Sequence, residues 1–283
     1  MVMMLEVTDR TGNAIRGRLF ADAVNCDGRT RLDNLYHSVP FHISKPYWNG
    51  SVLLLQVASP TAGLFSGDQL TSQVQIKENA ALMFTNQGAS RVHPRTGADA
   101  VLNQTFHVSE GGWLEIYPEL IIPHRGASLV QSTVVHVAQG GRAFLAEMLA
   151  PGRTASGETY AYEKLDWRFR LIHKDRPLVI ERAEITPETI PWMFARPPHW
   201  ENIYYGCVWI VAPETGGLTG DDFQELENLS DTQRLIGVTR LSPEAIAVKV
   251  IADSSIPLRR ALTAIRDRMS AALPFLTTNP RKL

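Results

Sequence analysis

The sequence predicts a mainly β protein: an elongated, β-helix-like or stacked-sheet architecture with a small α-helical part near the C-terminus. Three observations lead there. Short apolar runs of strand length follow one another closely from Ser51 to about Ile190. Turn-forming clusters such as "SEGG", "QGG" and "SGE" separate them at short, regular intervals. The gaps leave no room for crossover helices, which excludes a doubly wound α/β sheet over that span. No literal sequence repeat marks the stack.

Taken in order, "SVLLLQVA" (Ser51 to Ala58) reads as a buried strand. "QLTSQVQIKENA" alternates at Leu70, Val74 and Ile76 and turns at Glu78–Asn79. "ALMFTNQ", "AVLNQTFHVSEG", "WLEIYPELIIP", "ASLVQSTVVHVAQGG" and "RAFLAEMLA" continue the series. "TYAYEKLDWRFRLIHKDRPLVIERAEI" gives two or three strands about a turn at Lys174–Asp175. Beyond residue 190 the character changes. "TPETIPWMFARPPHW" reads as a proline-rich connection, and "YYGCVWIVAPE" and "AIAVKVIAD" as strands. "TGDDFQELENLSDTQ" gives a short helix capped by Thr219 or Asp221, with Phe223 and Leu226 apolar. The strongest helix covers about 256–273: Leu258, Leu262, Ile265, Met269 and Leu273 recur at steps of three or four. Ser254 or Ser255 would cap it, and Pro257 suits its first turn. Arg259, Arg260, Arg266 and Arg268 would form a solvated face. The organisation is one domain over 1–283, with a β-rich body over 1–190 and a smaller α+β portion over 191–283.

The 283 residues are enough to bury a large core, and 44% hydrophobic with 20% charged residues is ordinary globular composition. A net charge of −1 gives no electrostatic reason to bind nucleic acid or an anionic membrane. Cys26 and Cys207 stand far apart, which excludes a disulfide scaffold. "MVMMLEVTDRTGN" lacks a basic segment followed by an apolar run, and "SVLLLQVA" and "CVWIVA" are too short to span a bilayer. The expectation is a cytoplasmic protein.

"SPTAGLFSGDQL" has three residues between Gly63 and Gly67, no lysine, and Asp68 where an anion would be repelled. It is no phosphate loop. Its glycines allow a tight turn that sets Asp68 at the head of a strand, facing solvent or inward. In "LAPGRTASGETY", Gly152, Arg153, Gly157 and Glu158 suit a tight turn closed by an Arg153–Glu158 pair. The G-x-S-x-G of a nucleophile elbow is absent. None of the eight histidines forms H-x-H, H-x-x-x-H or H-E-x-x-H, so spacing predicts no permanent metal site. His107, in an alternating strand, reads as structural. Glu147 in "FLAEMLA" and Glu181 in "LVIERAEI" lie inside apolar runs. Burying an unpaired carboxylate is costly, so each is an edge residue, a salt-bridge partner or part of a polar lining. Glu181 and Arg182 point to opposite faces of a strand and pair poorly.

Together, "GRTRLDNLYHSVPFHISKPY", "LLLQVASPTAGLFSGDQL", "TNQGASRVHP", "WLEIYPELIIPHRGASL", "AEMLAPGRTASGETY" and "LVIERAEI" resemble, in order, the UreD (UreH) urease accessory family. The resemblance covers nearly the whole chain and is strongest from Gly28 to Ile185. It rests on the G-D after the loop, T-x-x-G-A-S, Y-P-E-x-I-I-P in place of L-P-Q-x-x-I-x-F, and G-R-x-x-x-G-E. The loop before Asp68 lacks the family's richer G-G-x-x-G-G-D, and the chain ends in "NPRKL" rather than an aromatic residue.

The resemblance implies a β-helix-like scaffold with no catalytic residues. It implies binding to apo-urease, a UreF-like protein and a UreG-like GTPase, with nickel(II) as transient cargo and no resident cofactor. It also implies a polar interior passage to which Asp68, Ser90, Glu147 and Glu181 belong, Asp68 facing inward. On that basis, Asp68→Ala and Glu181→Ala should fold and assemble normally while lowering nickel delivery. Exposed partner surfaces should make the isolated chain poorly soluble. Two rival classes stand beside it. One is a carbohydrate-active enzyme using Glu147 and Glu181 as acid and base, against which stands the lack of an evident aromatic sugar platform. The other is a plain interaction module.

Overall fold

A computed structural model describes residues 14–277 except 60 and 191–196. The N-terminal stretch, part of the proline-rich connection and the "NPRKL" tail therefore lie outside the described residues.

The body is a β-solenoid of about four turns. Each turn contributes a strand to each of two facing sheets. The first turn runs from β5 (Val52–Ala58) to β6 (Gln69–Ile76), and the second from β7 (Ala81–Asn86) to β9 (Ala100–Val108). The third runs from β10 (Trp113–Ile116) to β12 (Ser128–Val137), and the fourth from β13 (Arg142–Leu149) to β16 (Lys164–His173). Within each sheet these strands pair in parallel and in register. A short third ladder closes one corner: Leu64, β8 (Ser90–Val92) and β11 (Ile121–Pro123) bridge in parallel. In the fourth turn that corner becomes the hairpin of β14 (Gly152–Arg153) and β15 (Glu158–Thr159). Stacked parallel turns explain why no repeat is visible: register demands the same side-chain direction in each turn, not the same residue.

Further strands, most of them antiparallel, close the ends. β1 (Arg16–Cys26) lies parallel to β6 and forms a hairpin with β2 (Arg29–His37). β3 (His42–Ile43) and β4 (Tyr47–Asn49) flank β5. At the other end β17 (Arg176–Ile185) returns from β16 through Lys174 and Asp175, both at positive φ, as the turn reading expects. β18 (Tyr204–Val211), β20 (Ala245–Ala252) and β19 (Arg234–Ser242) extend the second sheet beyond β13. The C-terminal portion thus continues a sheet begun by the body.

The outer face of the second sheet is apolar. Val52, Met83, Trp113, Phe144, Val208 and Val248 lie there, covered by α1 (Gly220–Glu227) and α2 (Ser255–Met269). Thr219 caps α1 through a reciprocal box with Asp222. Ser254 stands at the N-cap of α2, but its hydroxyl donates to Asp253 instead of capping. Gly206 lets α2 approach: a Cβ there would lie 2.8 Å from Leu258 Cδ1. The expected solvated arginine face needs correction. Arg260 and Arg268 are exposed, but Arg259 pairs with Glu119, and Arg266 is buried against Glu115. Glu115 points out of the solenoid toward α2, so its charge recruits the helix's own cation. Among the described residues no helix is long and apolar enough to cross a membrane.

Candidate functional site

Inside the solenoid, two apolar clusters are separated by a polar layer. One cluster includes Leu55, Leu82, Leu145, Phe106, Val135 and Phe169; the other includes Leu64, Val92, Ile121, Leu129, Leu165 and Trp167. The inward alternation of β6 reads Leu70, Ser72, Val74. On β9 it reads Leu102, Gln104, Phe106, and on β12 Leu129, Gln131, Thr133, Val135. Ser72, Gln104 and Thr133 are in register on three adjacent strands. They form a polar row along the solenoid axis. On the facing sheet Glu147 interrupts the inward series Ala143, Leu145, Leu149.

Two adjoining cavities follow this layer. The outer, about 470 Å³, is lined by Ser72, Asn86, Gln104 and the exposed rim of Ser59, Ala62 and Gln87–Ala89. The inner, about 50 Å³, is lined by Gln104, Gln131, Thr133, Glu147 and Trp167. Phe84, Asn86, Ser90, Leu102 and Gln104 line both. Ser72 Oγ and Gln131 Oε1 are buried in these walls without a partner among the described residues, so their hydrogen-bonding capacity is directed at whatever fills the space.

Glu147 is the electrostatic centre of the inner cavity. Its carboxylate accepts from Trp167 Nε1 at 2.5 Å, Gln131 Nε2 at 3.2 Å and Thr133 Oγ1 at 3.3 Å, all neutral donors. Burial raises its pKa from the ordinary 4.5 to about 7; the three hydrogen bonds oppose this and nearby Glu181 adds to it. Around neutral pH the carboxyl exchanges readily between acid and anion. Beyond it, Cys207 and Lys249 continue the cross-strand row on β18 and β20. The Cys207 thiol is pushed well up by burial, then by Glu181, and is not a thiolate ligand.

The four residues assigned to a passage take different places. Ser90 and Glu147 line the cavities. Asp68 is 2% exposed and lines neither. Its Oδ1 and Oδ2 accept the backbone N–H groups of Ile15 and Phe65, both at 2.8 Å. It ties the chain before β1 to the first corner, so Asp68→Ala is expected to weaken the fold rather than leave it intact. Glu181 lines neither cavity and is half-exposed, bound to Lys249 Nζ at 2.8 Å where the two sheets' C-terminal strands meet. Arg182, as its strand position requires, turns away to Asp166. Glu147 and Glu181 therefore do not jointly line either cavity.

The remaining motif residues build the corners. Gly63 has φ +144°, and a Cβ there would lie 2.4 Å from Arg91 O; the same approach allows Leu64 N–H to donate to that oxygen. Gly152 has φ +140° beside Glu158 O, Gly67 φ +82° and Gly157 φ +70°. Arg153 and Glu158 form a bidentate pair, Nε–Oε2 2.8 Å and Nη2–Oε1 2.5 Å, which holds the Glu158 carboxyl at about 2. Ser72, Asn86, Gln104, Gln131 and Thr133 escaped the sequence reading. Their signal is a polar residue at an inward position of an alternating strand, at the same level in successive turns. Among the described residues no three His, Cys, Asp or Glu side chains gather as a metal-binding group.

The family model described as UreD urease accessory protein matches residues 16–282. A urease accessory protein UreD of Opitutus terrae is 35% identical over 259 residues, covering 90% of this chain and 94% of its own. Proteins of the same name are 29% identical in Halalkalibacterium halodurans, over 88% and 91% of the two chains, and 30% identical in Mycolicibacterium gilvum, over 83% and 86%. With the family model spanning nearly all of it, this chain belongs to the UreD urease accessory protein family.

Proposed function

We propose that this chain is a non-catalytic component of urease maturation that hands nickel(II) along the interior polar layer to apo-urease. It works in a cytoplasmic assembly with a UreF-like protein and a UreG-like GTPase. The observation that supports this most is the register of Ser72, Gln104 and Thr133 leading to Glu147, with cavity space along the row. The row spans about 10 Å, two strand spacings. Its donors are amide and hydroxyl oxygens, with one carboxylate at the inner end. Nickel(II) accepts oxygen ligands, and neutral oxygens bind it weakly enough to release. A closed cage of imidazole and thiolate would retain the ion. Glu147 supplies the strongest attraction, and because its pKa is raised to about 7 a proton can replace the metal there.

The test is maturation of apo-urease with purified accessory proteins under limiting nickel. Glu147→Ala should co-purify with the partners as the parent does yet yield urease with several-fold less nickel. Equal nickel loading would remove Glu147 from the route.

A further inference from the structure

The parallel stacking also brings together two histidines on the outside of the solenoid. His107 on β9 and His136 on β12 are in register on adjacent strands. Their flanking residues Phe106, Val108, Val135 and Val137 are buried, so both imidazoles project from the outer face of the first sheet, which among the described residues neither helix covers. Their rings stack with centroids 4.5 Å apart and planes 10° from parallel. His107 is exposed and His136 half-buried.

We propose that His107 and His136 form a bis-imidazole site for a borderline divalent transition-metal ion, with nickel(II) as the probe. The site is separate from the interior layer and independent of the reading given for it. Imidazole nitrogen suits nickel, zinc and copper, and a first-row ion takes nitrogen ligands at about 2.0–2.1 Å. With centroids 4.5 Å apart and near-parallel planes the in-plane lone pairs do not yet converge. Binding therefore requires both rings to rotate about the broad histidine χ2 torsion until one nitrogen of each faces a common ion. The strands fix the two Cα atoms in advance, which lowers the ordering cost of binding. The neutral imidazole is the ligating form.

The surroundings set the strength. The same cross-strand row continues through Gln75 to Asp22, but Asp22 is two strands away from His107 and accepts from Asn34. Lys77 bonds Gln75 and opposes a cation. Two protein ligands, the rest water, give a weak, rapidly exchanging site rather than a resident metal.

Nickel(II) sulfate titrated into the full chain, followed by calorimetry and by the histidine ring signals in NMR, tests this. The expected result is paramagnetic broadening centred on His107 and His136, with magnesium(II) without effect. His107→Asn or His136→Asn should weaken one equivalent at least tenfold, and the double variant should abolish it. Glu147→Gln should retain that equivalent, which separates this site from the interior. Unchanged nickel affinity and stoichiometry in the double variant would overturn the proposal.

Discussion

Replacing Glu147 by Gln tests the electrostatics of the interior directly. The carboxyl is buried among three neutral donors, and that burial pushes its pKa from 4.5 up to about 7. A raised carboxyl pKa means that the folded protein holds the proton more tightly than the unfolded chain. The stability this gives is complete below pH 4.5 and is lost as pH rises through 7. At about 1.36 kcal/mol per pKa unit, the shift amounts to about 3 kcal/mol across that window. Glutamine has the same shape and stays neutral, and its amide can donate to the unpartnered Gln131 Oε1. Urea denaturation at intervals from pH 4.5 to 8 should show Glu147→Gln gaining on the parent by about 3 kcal/mol, steepest between pH 5 and 7. Parallel stability curves would contradict a raised Glu147 pKa, because they would mean that the carboxyl is as well solvated folded as unfolded.

Two further perturbations bear on the scaffold that holds the polar layer. Arg266→Ala would leave Glu115, 0% exposed, as an unpaired buried charge, so urea denaturation should show a loss of about 3–5 kcal/mol. The paired change Arg266→Met with Glu115→Leu should recover most of it, since buried ion pairs are commonly replaceable by apolar residues. Asp68→Ala would strand the amides of Ile15 and Phe65, for a loss of about 1–3 kcal/mol by the same measurement, while Asp68→Asn should recover part of it.

Much of the fold is legible in the chain because solenoid strands alternate against a one-sided core. Leu70, Val74 and Ile76 announce β6, and Leu258, Leu262, Ile265 and Met269 announce α2. The terminal strands are harder to read. β2 is exposed along most of its length, and β1 buries small alanines beside Leu19, so neither has a strong apolar period. β19 is similarly half-exposed at the sheet edge. Arg266 defeats the helical wheel because its partner lies on β10, far away in the chain, and only the tertiary contact makes its burial affordable. At the site, Glu147 stands out in sequence as a charge in an apolar run. Ser72, Gln104 and Thr133 do not, because a lone polar residue in a strand is ordinary until register aligns it with others. Asp68 is conspicuous for a different reason: its carboxylate serves the backbone of the first corner. The His107–His136 pair is invisible to spacing rules, since strands on successive turns bring together residues that local motifs never sample.

Cargo that moves through the interior layer can be blocked at Ser90. Ser90 lines both cavities and is half-buried, so Ser90→Phe places a ring in the space they share without removing a charge. The direct measurement is the nickel content of urease matured under limiting nickel with this variant, after partner binding and the folding transition are shown to match the parent. An interior route predicts urease with a several-fold lower nickel content. Nickel content equal to that obtained with the parent chain would contradict an interior route.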